Sequence, residues 1–583
     1  MRRISIALLV SSAICVPVLA QESRTDTFVH LTGKSWQTLD PANAFDSVSF
    51  FVVGNVYEPL ISFKSATQLD SFEPFLASKV PTLENGLISK DRRTYSFPIR
   101  PGVRFHDGSL LTPEDVRYSM LRFMLMDSEG GPAALLLRPI LGVYGTRNAK
   151  GEIAVDFKEA SEAVKVHKDM VVVHLKRPDS TFLKVIASLP IVTSKKWAQS
   201  HGDWDGKAAS WKKINNVLPR KSFLSDHMNG TGPFLLKETI HERRGIILVR
   251  HEQYWRKPAA LKKVVLKVER DGSLRLCMLE SGDADAAYLE NSYRADAQQL
   301  KGLKLVDDTL VDQMGDIFFF TFKTEPNERL GSGVLDGRGI PPDFFGDINV
   351  RQGFAYAFDY EKYFKWGLGD RGRRTCGPFP CGLFERVELA YQYDPQKAEA
   401  ALKKAFAGEL WSKGFVIPIA YSSNNITRHI AAEILKNSLE ALNPKFKVVL
   451  SPLPGKEFYQ ELEGRKLPLY IAGHYADYPD AHSFAFGLLH SQGYYPKYQG
   501  YSNPEVDALV EEAAAIDEGK ERQEIFMKLS GHAAKDLPQI YTYSPFGFRV
   551  CQDYVLGCDS RDNVSNLNFN GFPYFYSFSK KGL

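Results

Sequence analysis

Apolar positions recur at helical spacing in several segments with well-marked starts. Thr112-Pro113-Glu114-Asp115 sets a capping residue ahead of a first-turn proline, and Val116, Met120, Phe123 and Met124 then fall on one face. Asn503-Pro504-Glu505 opens a second helix with Val506, Leu509, Val510 and Ala513 inward, and Asp394-Pro395 opens a third with Ala398, Ala401 and Leu402. Val48, Phe51, Val52 and Asn55 mark the buried face of a helix that ends within Asn55 to Leu60. Val350 to Phe364 reads as helical, and Arg428 opens a helix with Ile430, Ile434 and Leu435 inward. Between these lie short strand-like runs at 95–99, 170–175, 245–249, 264–268, 317–322 and 446–450. Helices interspersed with short strands predict α/β domains. No short-period repeat is visible, which argues against a solenoid or propeller. The glycines around Leu330 to Gly333 and Gly337 to Pro342 predict a flexible excursion, not a domain linker.

At 583 residues the chain is too long for one ordinary domain, so two to four packed units are expected. A composition of 44% hydrophobic and 24% charged residues excludes a mostly disordered chain. Lys and Arg total 73 against 69 Asp and Glu; the resulting +4 gives no electrostatic case for nucleic acid as a partner.

Arg2 and Arg3 precede an apolar run from Ile4 to Val10, and Val18-Leu19-Ala20 is a small-residue exit before Gln21. This is the layout of a secretory signal peptide, with cleavage near Ala20–Gln21 and a periplasmic destination. A membrane anchor would need about 20 apolar residues, and this run is broken by Ser11, Ser12 and Pro17. Ser12-Ala13-Ile14 is a poor lipidation context for Cys15, and no later stretch is apolar enough to span a bilayer. Export places Cys277, Cys376, Cys381, Cys551 and Cys558 in an oxidising compartment. Cys376 with Cys381 and Cys551 with Cys558 are expected to form disulfides, each closing a small loop worth roughly 2 kcal/mol. A metal knuckle would want shorter Cys spacing with His nearby. Cys277 is then expected as a free, buried thiol.

Catalytic motifs are not evident. Gly367 to Gly372 fits GxGxxG spacing, but a helical pattern precedes it and a proline-broken loop follows, the reverse of a dinucleotide-binding turn. Gly33-Lys34-Ser35 lacks the first glycine of a phosphate loop, because Phe28 stands there. His241-Glu242 and His251-Glu252 lack a second His four residues on, and there is no GxSxG elbow. Asp283 and Asp285 read as solvated turn acids, and His482 as a structural or lining side chain, not a metal ligand. The expectation is no enzyme, no cofactor and no metal. The rival from another class is an exported hydrolase whose triad or acid pair is assembled from distant positions; it requires a nucleophile–base pair within hydrogen-bond reach.

Leu39-Asp40-Pro41 leads into Asn55-Val56-Tyr57-Glu58-Pro59-Leu60. Tyr95-Ser96-Phe97-Pro98-Ile99-Arg100-Pro101-Gly102-Val103-Arg104-Phe105-His106-Asp107-Gly108 runs into Leu111-Thr112-Pro113-Glu114-Asp115-Val116. Gly230-Thr231-Gly232-Pro233-Phe234, Tyr254-Trp255 and Gly282-Asp283-Ala284-Asp285 follow. Next come Val350-Arg351-Gln352-Gly353-Phe354-Ala355-Tyr356-Ala357-Phe358-Asp359 and Tyr393-Asp394-Pro395, then Ala476-Asp477-Tyr478-Pro479-Asp480 and Tyr501-Ser502-Asn503-Pro504-Glu505-Val506-Asp507. In this order, over nearly the whole chain, they resemble the large extracellular solute-binding proteins of dipeptide and oligopeptide ABC importers, family 5. The stretch from Tyr95 to Val116 is the most specific match.

The resemblance implies an α/β periplasmic binding protein fold of the large three-domain class, type II. Residues 21–62, 190–305 and 538–583 would form a discontinuous lobe I. Residues 63–189 would be an inserted accessory lobe II and 306–537 the opposing lobe III, with hinge crossings near 306 and 537. The implied partners are a peptide or other small solute and an inner-membrane ABC permease, with the receptor a monomer. In peptide-binding members the aspartate of the Ala-Asp-Tyr turn pairs with the ligand's N-terminal ammonium; here that is Asp477, followed by Tyr478. Asp480 reads as a turn cap. Where peptide binders carry Gly-Trp, Gly473 is followed by His474 and Tyr475, which alters the pocket wall but leaves both side chains as lining candidates. Phe45, Asp46 and Ser47 lie in the loop where lobe I of the family meets its ligand, and backbone groups there could pair with an extended peptide. Arg428 stands near the arginine that dipeptide binders use for the C-terminal carboxylate, with the register off by one or two. The run Tyr494, Tyr495, Tyr498 and Tyr501 suits either an aromatic wall or a packed loop. The function implied is capture of peptides or peptide-like amine-bearing solutes; the alternative is a non-peptide cargo such as an oligosaccharide, an opine or a metal chelate.

Overall fold

The computed structural model describes residues 26–65, 68–148, 150–309, 313–375, 377–380, 391–558 and 573–581. The leader with Cys15, and the expected Cys376–Cys381 bond, lie outside these residues. Three sheets organise the rest. The largest has eight strands, in the order Leu303–Thr309, Tyr543–Gln552, Ala286–Ala287, Thr27–Thr32, Lys263–Val268, Gly245–Arg250, Phe234–Ile240, with Gly372–Arg374 also pairing with Tyr543–Gln552. A five-stranded mixed sheet runs Phe446–Leu453, Phe415–Ser422, Leu469–Tyr475, Gln313–Phe320, Gln539–Tyr541. A three-stranded antiparallel sheet of Thr94–Pro98, Met170–His174 and Val164–His167 packs under the helix Pro113–Met126. The chain passes from one large sheet to the other between Leu303–Thr309 and Gln313–Phe320 and again between Gln539–Tyr541 and Tyr543–Gln552, and between these the short strand Gly372–Arg374 returns to pair with Tyr543–Gln552. This is a mixed α/β architecture, as the alternation of helices and short strands predicts.

The expected helices form where their caps predict. Thr112 and Asp115 make a reciprocal capping box, each side chain accepting from the other's backbone N–H, and Val116, Met120, Phe123 and Met124 are buried. The span 350–364 is two helices, Ile348–Ala357 and Tyr360–Leu368, because the Asp359 side chain accepts from Lys362 N and caps a second start. That second helix ends at Gly369 in the left-handed conformation, and a strand follows, so Gly367 to Gly372 is a helix exit. Cys277 is exposed, contrary to the expected burial. On the helix Gly272–Glu280 the inward positions are Arg275 and Leu279, which turns Cys277 to the opposite face. Cys551 and Cys558 form the expected disulfide. Asp283 and Asp285 differ from one another: Asp285 is buried, accepting from Val29 N at 2.7 Å and from Tyr554 Oη and pairing with Lys580 Nζ, both at 2.8 Å. It ties the first strand to the end of the chain and is not a solvated turn acid.

The sequence stretches that carried the family resemblance join one another in space. Glu58, fully buried, accepts from Thr231 Oγ1 at 2.7 Å, Tyr254 Oη at 2.6 Å and Trp255 Nε1 at 2.9 Å. Burial pushes its carboxyl up to about 7 against the pull of these donors. Gly232 N donates to Val56 O at 2.9 Å, and a Cβ at Gly230 would sit 2.0 Å from the same oxygen, so only glycine permits this approach. His106 Nε2 meets Gly232 O at 3.0 Å, and Asp107 N donates to Asn229 Oδ1 at 3.1 Å. Asp40 is held by Arg122 through two contacts of 2.6 and 2.7 Å, and Arg122 reaches on to Asp203. These motifs fasten the N-terminal segment to the unit that carries the three-stranded sheet, and so set the position of residues 41–56.

Candidate functional site

A cavity of about 100 Å³ lies where three distant parts of the chain meet. Pro41 to Ser47 and the helix Ser47–Val56 form one side, presenting Phe45, Ser47, Phe50 and Val53. Phe123, Pro132, Leu135 and the segment Leu189 to Ile191 form the second, and Tyr475, Ala476 and Asp477 the third. Phe45 and Tyr475 are 40% and 44% exposed and flank the mouth, whereas Val53, Phe123, Leu189 and Ile191 are buried.

Asp477 is positioned from both sides. The strand Leu469–Tyr475 delivers it, and its backbone N donates to Ser483 Oγ at 2.8 Å, at the start of the helix Ala481–Leu489. That helix is capped by Asp480, which accepts from His482 N at 2.8 Å and is itself paired with Arg522 at 2.7 Å and Lys184 at 2.9 Å. Burial alone would raise the Asp480 carboxyl, but the two cations outweigh it and hold it well below the ordinary carboxylate range. Asp480 is therefore a cap, as expected, and also a buried ion-pair centre joining the helix Phe182–Ser188 to the turn. Asp477 has the opposite environment. Its carboxylate makes no hydrogen bond or ion pair with the described residues, and burial pushes it up to about 7. An acid left this way beside a cavity is complementary to a cation that enters it.

Of the eight expected ligand residues, the structure gathers Phe45, Ser47, Tyr475 and Asp477 around this cavity. The other four stand elsewhere. Asp46 caps the helix Ser47–Val56, accepting from Ser49 N at 3.0 Å. His474 points to the opposite side of its strand from Tyr475 and is buried edge-on against Phe484 and Tyr495, and this burial lowers it to about 4 and keeps it neutral. Tyr478 is buried, with its hydroxyl 2.6 Å from His482 Nδ1. Arg428 pairs with Asp316 at 3.0 Å, an acid that also accepts from Tyr363 Oη and Thr427 Oγ1. The carboxylate it was expected to meet is thus supplied by the protein's own strand. Tyr495, Tyr498 and Tyr501 are buried, and Tyr495 donates to Gly473 O at 2.6 Å, so this run is packing, not an aromatic wall.

Sequence reasoning missed Phe50, Val53, Phe123, Leu135 and the 189–191 segment. Each looks like core: Val53 lies beside Val52 on an apolar helix, and Phe123 sits on the predicted inward face. A second cavity of about 120 Å³, between the helix Tyr360–Leu368 and the strand Tyr543–Gln552, holds none of the expected residues. Among the described residues no group of three or more His, Cys, Asp or Glu is placed to hold a metal ion, and no helix is long and apolar enough to cross a membrane.

The family described as bacterial extracellular solute-binding proteins, family 5 Middle, matches residues 71–496. Heme-binding protein A of Haemophilus influenzae is 25% identical over 557 residues, covering 92% of this chain and 90% of that protein. The dipeptide-binding protein DppE of Bacillus subtilis is 25% identical over 522 residues, covering 87% and 84%. Among solved structures, the periplasmic binding protein DppA from Helicobacter pylori in complex with the peptide STSA superposes with a TM-score of 0.74 at 19% identity, covering 95% of this chain and 98% of that one. The binding protein AgaA in complex with agropinic acid, from A. tumefaciens R10, gives 0.72 at 17% identity, covering 96% and 99%.

Proposed function

The chain belongs to the bacterial extracellular solute-binding proteins of family 5, and from that premise we propose that it is the periplasmic receptor of an ABC importer for peptides or peptide-like solutes bearing a free amine. The reading takes residues 1–20 as a cleaved export leader and the mature receptor as a monomer that delivers its cargo to an inner-membrane permease. Two jaws close on the ligand about crossings near 306 and 537, with residues 63–189 as the accessory lobe. Ligand that binds the closed form better draws the open–closed equilibrium toward closure. Relatives described as dipeptide- and oligopeptide-binding support the cargo class.

The observation that carries the proposal is Asp477, a carboxylate with no partner among the described residues on the wall of a cavity built from three distant parts of the chain. A charge-assisted hydrogen bond from a ligand ammonium is worth about 1.5–3 kcal/mol, and removing one partner costs more where the other stays buried. Native mass spectrometry of the mature protein purified without refolding is expected to show co-purified short peptides that are lost in Asp477→Ala. A single non-peptide mass in the wild type, or an undiminished cargo in the variant, would overturn the peptide class or the anchor respectively.

A further inference from the structure

The cavity beside Asp477 is otherwise lined by hydrocarbon. Phe50 and Val53 come from the helix Ser47–Val56, Phe123 from the helix Pro113–Met126, Leu135 from the helix Ala134–Leu141, and Leu189 and Ile191 from the segment that follows the helix Phe182–Ser188. The polar side chains on its lining are Ser47, Tyr475 and Asp477, and none of the residues lining it is basic. A group held here has its positive charge met at one point and its remaining surface in contact with apolar side chains. A free amino acid fits this poorly, because its own carboxylate lies one carbon from the amine and would meet no cation on this wall. A peptide's first residue has a neutral carbonyl at that position.

Size narrows the choice. The cavity measures about 100 Å³, below the roughly 150 Å³ of an engineered apolar cavity that accepts benzene. A branched aliphatic side chain fills such a space; an indole does not. We infer that this cavity is a specificity pocket for a branched aliphatic side chain on the residue that carries the ligand's free amine, so that the receptor selects peptides beginning with Leu, Ile or Val. The inference rests on the amine-receptor reading above and adds the side chain that reading leaves open. One of its three sides, Phe123, Leu135 and Leu189 to Ile191, comes from the part of the chain around the three-stranded sheet, which makes that unit a determinant of selection.

The test is calorimetry on ligand-free mature protein with the tripeptides X-Ala-Ala, where X is Leu, Ala, Gly, Asp or Trp, together with free leucine. Burial of one aliphatic side chain predicts that Leu-Ala-Ala binds roughly ten- to a hundredfold more tightly than Gly-Ala-Ala, with Asp, Trp and free leucine weaker than Leu-Ala-Ala. In Leu135→Asp, with folding checked by its thermal melt, the Leu-to-Gly ratio falls towards one. In Val53→Ala, which enlarges the pocket, the ratio of Trp-Ala-Ala to Leu-Ala-Ala rises. A flat series in which every tripeptide binds equally would overturn the pocket and leave the peptide receptor standing. If folded wild-type protein binds none of them, the receptor reading fails and the pocket falls with it.

Discussion

Asp477 and Asp480 stand three residues apart in one turn and have opposite electrostatics. Asp480 spends its charge inside the protein on Arg522 and Lys184, while Asp477 has no partner among the described residues and burial lifts it to about 7. A bound ammonium favours the ionised form, so it must lower the Asp477 value from there. Ligand binding therefore expels a proton from Asp477 when the pH is at or below about 7. Affinity for an amine-bearing ligand is expected to be greatest near pH 7–8 and to weaken by up to about tenfold per pH unit below that. Calorimetry in buffers of different ionisation heat should show proton release at pH 6 that shrinks by pH 8; Asp477→Asn should show neither the release nor the slope. No proton release in the wild type at pH 6 would remove Asp477 from the ammonium site. The turn itself was legible from the Ala-Asp-Tyr-Pro-Asp order, but Asp480's ion pairs were not. Their partners lie 296 and 42 residues away, and nothing local marks Lys184 or Arg522 as facing it.

Elements whose starts carry a cap and a proline were read correctly, because those signals are local. Strands were read where apolar and β-branched residues are bounded by turns. Phe415–Ser422 and Leu469–Tyr475, the latter delivering Asp477, were not read. Both are covered on their two faces by other elements, so their residues show no alternation of polar and apolar positions to mark them. The family motifs carry their meaning at this same scale. Glu58 gathers three donors from two later segments and binds the end of the helix Ser47–Val56 to Thr231 and to Tyr254-Trp255. Glu58→Gln places an amide NH2 against those donors and should cost about 2 kcal/mol. Because burial raises Glu58 to about 7, above its ordinary value near 4.5, the wild type holds the full benefit of the protonated group at low pH. It loses that benefit as the pH rises through about 7. Denaturant midpoints are thus expected to separate wild type and Glu58→Gln more at pH 5 than at pH 8, and a gap that widens with pH would contradict the assigned state of Glu58.

At the scale of the whole molecule, the cavity exists only because residues 45 and 477 are brought to the same place, with Leu135 and Ile191 closing the third side. No stretch of sequence contains that cavity, which is why its aliphatic wall is invisible in the sequence, while the resemblance names Phe45, Ser47, Tyr475 and Asp477, which line it. Two of the places where the chain crosses between the two large sheets are neighbours, next to the edge where Tyr543–Gln552 pairs with Leu303–Thr309. In the proposed hinge these two crossings would leave one soft rotational freedom between the sheets, with the cavity walls on both sides of it. On that proposal a ligand touching both walls gains its full contact only when they are together, and its affinity is in part a closure free energy. Small-angle scattering is expected to report this as a fall in the radius of gyration, about 25 Å for a compact chain of this length, on adding a leucine-first tripeptide. Asp477→Ala should hold the larger value at the same ligand concentration, because it lacks the contact that rewards closure. A wild-type radius that stays fixed while calorimetry records binding would mean that the site is preformed, and that the two crossings act as a rigid joint.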